Sequence, residues 1–309
     1  MPVDFSKTLV IGVSSRALFN LEEENHIYET EHIEAYRKYQ LEHENELLHH
    51  GTAFYLVKSL LELNKLVETP IVEVIVMSKN SPETGIRMLN SITEYQLDIT
   101  RIALTGGEPL APYMDAFGID LFLSKDPEDV QKIIDSAKCA AAWIYAPPKS
   151  FNPKDSRVKI AFDADAVLFS EESELRYKRE GLDAFRAFEA SHENDPLLEG
   201  PFARLLIKLS KIQEQLPSGI ENSPLRIAIV TARNAPSHMR VIKTLRKWGV
   251  YVDEAYFLGK LDKYKVLDAY GAHIFFDDQE LHLDKASEVV PSGKVPYRTD
   301  SELNKMKYK

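Results

Sequence analysis

At 309 residues the chain has room for one large or two medium domains, and its 44% hydrophobic content can fill a sizeable core. Its 48 Asp and Glu outnumber 38 Lys and Arg, which argues against a general nucleic-acid binder but not against a phosphate ester, whose charge a metal ion and local cations can balance. A single cysteine excludes an intrachain disulfide, no apolar run reaches the ~18 residues of a membrane helix, and the N-terminus has no basic segment leading into an apolar core, so the expected setting is the cytoplasm, with no membrane partner.

Taken from the N-terminus, short aliphatic and β-branched runs predict strands at Leu9–Val13, 72–77 and 119–123. Cys139, in the run Cys139-Ala140-Ala141-Ala142-Trp143-Ile144, reads as a buried small hydrophobe. The stretch Ala146-Pro147-Pro148-Lys149-Ser150 reads as a Pro-rich linker. Beyond it, strands are predicted at Val158–Phe162, 226–230 and 273–276. Apolar residues at Leu205, Leu206, Leu209 and Ile212 predict a helix over 203–213, and Met239, Ile242 and Leu245 predict another over His238–Trp248. Strands alternating with helices imply a parallel sheet covered on both faces, with ligands at the carboxyl ends of the strands.

The chain also repeats itself. When Ser14 is placed over Asp163, Glu22-Glu23 falls on Glu171-Glu172, Tyr28 on Tyr177, Ala35 on Ala184, His43-Glu44-Asn45 on His192-Glu193-Asn194 and Gly51 on Gly200. After a small drift Ser78 meets Thr231, Arg87 meets Arg240, Asp115-Ala116 meets Asp268-Ala269 and Phe122 meets Phe275. The expected architecture is α/β: two tandem Rossmann-like domains with parallel sheets, residues 1–148 and 149–309, the first degenerate and the second bearing a small helical cap over about 170–199.

The second copy carries the candidate chemistry. Asp163 and Asp165 follow a strand two residues apart, and in an extended segment both point to one side. One carboxylate can attack phosphorus while the other moves protons at the leaving group; surface turns also produce Asp-x-Asp. Thr231 ends a strand, where its hydroxyl, with its backbone N–H at a helix start, can hold a phosphoryl oxygen or simply cap the helix, and Ala232 and Arg233 beside it are candidate substrate-binding residues. Asp277-Asp278 offers hard oxygen ligands suited to Mg²⁺, or a solvated turn. Lys260, Lys263 and Lys265 compete for the role of a cation near these carboxylates.

The order of these motifs resembles that of the haloacid dehalogenase-like phosphatases over residues 158 to about 280. Longer words are similar to the type I cytosolic 5'-nucleotidases across nearly the whole chain: Val13-Ser14-Ser15-Arg16-Ala17-Leu18-Phe19, Tyr39-Gln40-Leu41-Glu42-His43-Glu44-Asn45, Phe162-Asp163-Ala164-Asp165-Ala166-Val167-Leu168-Phe169-Ser170 and Ile274-Phe275-Phe276-Asp277-Asp278-Gln279. The resemblance implies Mg²⁺-dependent hydrolysis of nucleoside 5'-monophosphates, AMP foremost. It makes Asp163 the nucleophile that forms an aspartyl-phosphate and Asp165 the acid and then the base. It has Asp163, Asp277, Asp278 and the Asp165 carbonyl holding the metal, and Thr231 and Lys263 holding phosphoryl oxygens. It selects Lys263 through a family Gly-x-x-Pro-Lys segment, which reads Gly259-Lys260-Leu261-Asp262-Lys263 here, with Asp262 in place of Pro. A phosphatase for another small ester, such as a sugar phosphate, and a non-catalytic nucleotide sensor are the competing readings. In the cap, Tyr177, Phe185 or Phe188 would stack on the base or pack beneath the cap, and His192 would touch substrate, although His43 at the matching place points to a structural role. The sequence leaves a homo-oligomer open.

In the first copy Ser14 stands for Asp163, Arg16 for Asp165, Ser78 for Thr231, Leu110 for Lys263 and Ser124-Lys125 for Asp277-Asp278. The nucleophile and metal carboxylates are gone, so the expected role is structural, as a wall of the active cleft or a subunit interface. A metal-free regulatory site for phosphate or nucleotide, built from Ser14, Arg16, Ser78, Thr105, Gly106 and Lys125, is the further expectation; the alternative is that Arg16 and Lys125 pair with neighbouring acids.

Overall fold

The computed structural model describes residues 5–153 and 156–307. Its strands are Leu9–Val13 (β1), Phe19–Asn20 (β2), His49–His50 (β3), Val72–Ser78 (β4), Arg101–Leu104 (β5), Leu121–Ser124 (β6), Ala140–Ile144 (β7), Val158–Phe162 (β8), Leu225–Thr231 (β9), Glu254–Phe257 (β10), Ile274–Asp277 (β11) and Ser292–Lys294 (β12). β2 and β3 pair with each other; the rest form one ten-stranded sheet in the order β10-β9-β8-β11-β12-β7-β6-β1-β4-β5. Each half supplies five strands in matching order, parallel within the half.

The halves do not keep separate parallel sheets, as the sequence suggested. They share one mixed sheet, joined where β12 meets β7 antiparallel, Gly293 opposite Ile144 and Lys294 opposite Trp143. The seam is tight: a Cβ on Gly293 would lie 3.1 Å from the Ala142 Cβ and 3.2 Å from the Phe276 ring. One apolar cluster runs from Leu9, Val13 and Phe122 to Phe162, Phe276 and Val295, so the core crosses the seam as well. Cys139 is only partly buried beside it, and burial pushes its thiol up to about 12.

The antiparallel seam has a geometric consequence. Strand carboxyl ends, where parallel sheets place ligands, point one way in the first half and the opposite way in the second. The matching positions of the two copies therefore lie at opposite edges of the sheet. The first half borders the second half's Asp163–Ala166 loop through its strand amino ends: Ile119, Asp120 and Ala140 share a cavity of about 600 Å³ with Ala166, Gly200 and Tyr297.

Over the carboxyl end of each half lies a long charged helix, Glu22–Glu42 in the first and Glu172–Ser191 in the second. Both break at the matching residue. Gly181 turns at φ 83°, which costs glycine little; His32 makes the same break at φ 68° despite its Cβ. That the kink survives a strained residue marks it as part of the scaffold.

Candidate active site

β8, β9 and β11 are central strands whose apolar side chains are buried, and each delivers a polar residue at its carboxyl end. Asp163 directly follows β8, Thr231 ends β9 and Asp277 ends β11. Lys263 opens the helix Lys263–Tyr270. All four are buried, as is Asp278. Lys263 Nζ lies 2.8 Å from Asp163 Oδ1 and 2.7 Å from Asp277 Oδ2. The Gln279 N–H donates to Asp277 Oδ1 at 2.8 Å, and His282 Nδ1 lies 3.1 Å from Asp277 Oδ2. Tyr297 donates its hydroxyl to Asp278 Oδ2.

Carboxylate oxygens of Asp163, Asp277 and Asp278 lie within 4.8 Å of one another. Two of these carboxylates, Asp163 and Asp277, share the buried Lys263, while Asp278 is held by Tyr297. Burial pushes the Asp163 carboxyl up to about 7, against the opposing pull of Lys263 and with the neighbouring charges of Asp277 and Asp165 reinforcing the rise. Burial and the neighbouring acids Asp277 and Glu174 push Asp278 well above the carboxylate range. Burial also works against the charged form of Asp277, but Lys263 and His282 outweigh it and hold this carboxyl low. Asp278 Oδ1 is buried and without a hydrogen-bond partner among the described residues. An unpartnered oxygen inside an acid-rich pocket of hard donors fits a small divalent cation.

Asp165 is not part of this cluster. After Asp163 the chain makes a distorted turn in which Asp165 is extended (φ −76°, ψ 139°) and Ala166 left-handed (φ 58°). The Asp165 carboxylate faces Arg233, which grips it with Nε at 2.8 Å and Nη2 at 2.7 Å. Arg233 also donates to Ser173 Oγ at 2.7 Å and to Glu189 Oε2 at 2.6 Å, both on the helix Glu172–Ser191. Glu189 in turn accepts from Arg240 at 2.9 Å.

A family model described as 5'-nucleotidase matches residues 1–302. This chain belongs to the 5'-nucleotidase family. It is 38% identical over 290 residues to human cytosolic 5'-nucleotidase 1B, a match covering 91% of this chain and 47% of that protein, so the chain spans about half the length of the curated relative it matches. This supports the type I cytosolic branch that its sequence words resemble. Among solved structures, histidinol dehydrogenase from Elizabethkingia anophelis aligns at 9% identity over 80% of this chain and 50% of that one, with a TM-score of 0.22, too slight a likeness to bear on the fold.

Within this family member, several sequence expectations need correction. Thr231 is not at a helix start: the following helix begins at His238, and the Thr231 Oγ1 accepts from the Arg233 N–H at 3.1 Å. Arg233, expected on the substrate side, spends its guanidinium on Asp165, Ser173 and Glu189; Ala232 stays at the exposed turn between them. His192 stacks on Phe188 with centroids 4.0 Å apart, and its Nδ1 lies 3.0 Å from the Phe188 carbonyl. His43 does the same with Tyr39, at 4.0 Å and 2.8 Å. Tyr177 meets Phe185 edge-on at 6.3 Å, as Tyr28 meets Tyr36 at 5.8 Å. Phe188 lies under the Arg176 guanidinium, 3.7 Å from its centroid. These cap residues build the helix and its end in both halves, which accounts for them without a substrate.

The anion cradle expected in the first half is taken up by the chain itself. Arg16 and Lys125 converge on Glu22, at 3.3 and 2.8 Å. The N–H groups of Gly106 and Gly107 donate to the Asn80 and Lys79 carbonyls, and Thr105 Oγ1 donates to Glu108 O. Ser14 Oγ accepts from the Ala17 N–H, and Ser78 Oγ from the Asn80 N–H. A cavity of about 710 Å³ adjoins Ser14, Arg16, Ser78 and Gly106, but its acids Glu24, Glu83, Asp126 and Asp129 outnumber its cations Arg16, Arg37 and Lys79. The first half borders the second half's strand ends only through its own strand amino ends, where Ile119, Asp120 and Ala140 share a cavity with Ala166 and Tyr297.

Glu189, Tyr297 and His282 went unread in the sequence. Glu189 sits in a helix that also carries Glu172, Glu174, Glu180 and Asp183, where one more acid signals nothing. Tyr297 lies beyond the last repeated word. Only the mismatch of Glu189 with Gln40 in the repeat singles it out.

Proposed function

We propose that the second half hydrolyses nucleoside 5'-monophosphates to nucleoside and phosphate, in the manner of a haloacid dehalogenase-type phosphatase, with AMP the leading substrate. The observation that carries this reading is the buried Asp163–Asp277–Asp278 cluster, with Lys263 bridging Asp163 and Asp277. It is an acid-rich pocket with a nucleophile, and family membership supplies the substrate class. Asp163, Asp277 and Asp278, with the Asp165 carbonyl beside them, would hold Mg²⁺, which when bound offsets the charge of carboxylates and phosphate.

Asp163 Oδ attacks phosphorus in line; the bond from phosphorus to the ribose 5'-oxygen breaks, and Asp165 acts as the general acid that passes a proton to that oxygen. Nucleoside leaves, and Asp163 carries an acyl phosphate. Asp165, now a carboxylate, takes a proton from water as the water oxygen attacks phosphorus, which frees phosphate and restores Asp163. Lys263 and the Thr231 hydroxyl steady the phosphoryl oxygens. The helix Glu172–Ser191 over the strand ends would limit water and face the leaving group.

Phosphate release from a panel of nucleoside and sugar monophosphates, with Mg²⁺ and with EDTA, tests this. Release from nucleoside 5'-monophosphates alone, abolished by EDTA, is the expected result. Preference for a sugar phosphate would replace the substrate assignment, and no release from any ester would refute the enzyme reading.

A further inference from the structure

A feature that both halves share needs no phosphate chemistry to explain it, whereas one confined to the second half invites such an explanation. Arg240 donates from Nε to the Asp195 carbonyl at 2.8 Å and pairs with an acid of the cap helix, Glu189; Arg87 donates to the Glu46 carbonyl at 2.9 Å and pairs with Glu24 on the matching helix. Thr244 Oγ1 accepts from the Leu197 N–H at 2.9 Å, as Ser91 Oγ does from Leu48 at 3.0 Å. These tie the long helix to the core in both copies.

Arg233 has no such counterpart. Asn80 stands in its place, Gln40 in that of Glu189 and Arg16 in that of Asp165, so the three are replaced together. Arg233 and Glu189 are almost fully buried, at 4% and 0% exposure. Burying Arg233 beside Glu189 is costly unless each charge is paired, and the scaffold does not require this pair, since the first half holds Asn80 and Gln40 at the matching places.

We propose that Arg233 is a positioning residue for Asp165, and that Glu189 seats Arg233, so that placement of the acid–base carboxylate depends on the cap helix. The proposal rests on the reading of Asp165 given above. A carboxylate on an irregular turn is free to rotate. A guanidinium fork, bonding both of its oxygens, fixes its plane as well as its position, which the single point charge of a lysine does not. The far side of the same guanidinium is held by Glu189 Oε2 and Ser173 Oγ. A displacement of the helix Glu172–Ser191 is therefore carried through one rigid planar group to Asp165, across two residues from the nucleophile.

The test is a double-mutant cycle on AMP hydrolysis in Mg²⁺: the parent, Asp165→Asn, Arg233→Lys and the two combined. Arg233→Lys is expected to lower kcat about 100-fold, the scale of acid–base catalysis, with KM within about threefold, and to change kcat less than about twofold in the Asp165→Asn background. Equal losses in both backgrounds would make Arg233 a merely structural residue and overturn the proposal, as would an unimpaired Arg233→Lys. Should Arg233→Lys misfold, Arg233→Asn recreates the Asn80 of the first half and leaves Glu189 paired with Arg240, and the same cycle applies with the same expected outcomes. Parent-like kcat in Asp165→Asn alone would instead refute the acid–base reading of Asp165, an outcome separable from failure of the Arg233 link.

Discussion

The carboxyl ends of β1 and β8 show what the same backbone does with and without charge. At β8, three buried carboxylates cluster, two of them bridged by Lys263. At β1 the corresponding strand ends carry Ser14, Ser78 and Ser124. The local turns are unchanged: Ser124 Oγ accepts from the Asp126 N–H at 3.1 Å where Asp277 Oδ1 accepts from Gln279 at 2.8 Å, and Ser78 Oγ accepts from Asn80 at 3.1 Å where Thr231 Oγ1 accepts from Arg233 at 3.1 Å. Ser15 and Ser78 hydroxyls close on each other at 3.0 Å. The scaffold needs a short oxygen at each turn, not a charge. Carboxylates crowded in the second half raise the cost of burial, and the first half shows that this cost is not required for folding. It is tied to the chemistry proposed for Asp163.

That contrast can be broken at matched positions. Asp163→Asn should lower turnover about 10⁴-fold or more, the scale of losing a nucleophile, while Ser14→Ala, measured by the same phosphate-release assay, should leave it within about twofold. A folded Asp163→Asn protein with substantial turnover would erase the distinction. Lys263→Ala should cost about 10²–10³-fold, as for a buried donor to developing charge, while Lys260→Ala and Lys265→Ala, both exposed, should stay near the parent. Equal losses at all three would mean a diffuse positive field in place of one seated lysine.

Mg²⁺ should sharpen the contrast without any turnover. At a hundredfold excess over Kd it should stabilise the protein by about 2.7 kcal/mol, read as a rise in Tm. Asp278→Asn should remove most of that rise and Lys125→Ala none of it. An equal response in both variants would place the metal elsewhere. The smallest expected effect concerns the stacked histidines. His192→Ala and His43→Ala should each cost about 0.5–1.5 kcal/mol, the range of an aromatic pair, in chemical denaturation, with KM unchanged. A KM rise confined to His192→Ala would return that residue to the substrate site.

How far the sequence revealed this depended on how local each signal was. β1 and β8 are legible because their side chains are apolar throughout, as central strands buried on both faces must be. β5 and β10 went unread because they lie at the outer edges of the sheet, where Arg101 and Glu254 face water and dilute the pattern. β7 is alanine-rich and β12 reads Ser-Gly-Lys, neither a strand by propensity. Their antiparallel pairing joins residues far apart in the chain and leaves no periodic trace, so the single sheet stayed hidden. At the site, Asp163, Asp277 and Asp278 were legible because they follow apolar strands in the motif order of a known phosphatase superfamily, not because any one of them stood out alone. The Asp165–Arg233–Glu189 chain was not, because its burial arises only when the cap helix packs down.

The central claim is that phosphate chemistry runs through Asp163 and through nothing in the first half. It is tested most directly by quenching the protein in acid during turnover of nucleoside 5'-monophosphate labelled at phosphorus, then mapping the labelled peptide. The expected result is label on the peptide containing Asp163, absent in Asp163→Asn and retained when Ser14 is changed to Ala. Label on any first-half peptide, or turnover with no label at Asp163 and none lost in Asp163→Asn, would contradict it.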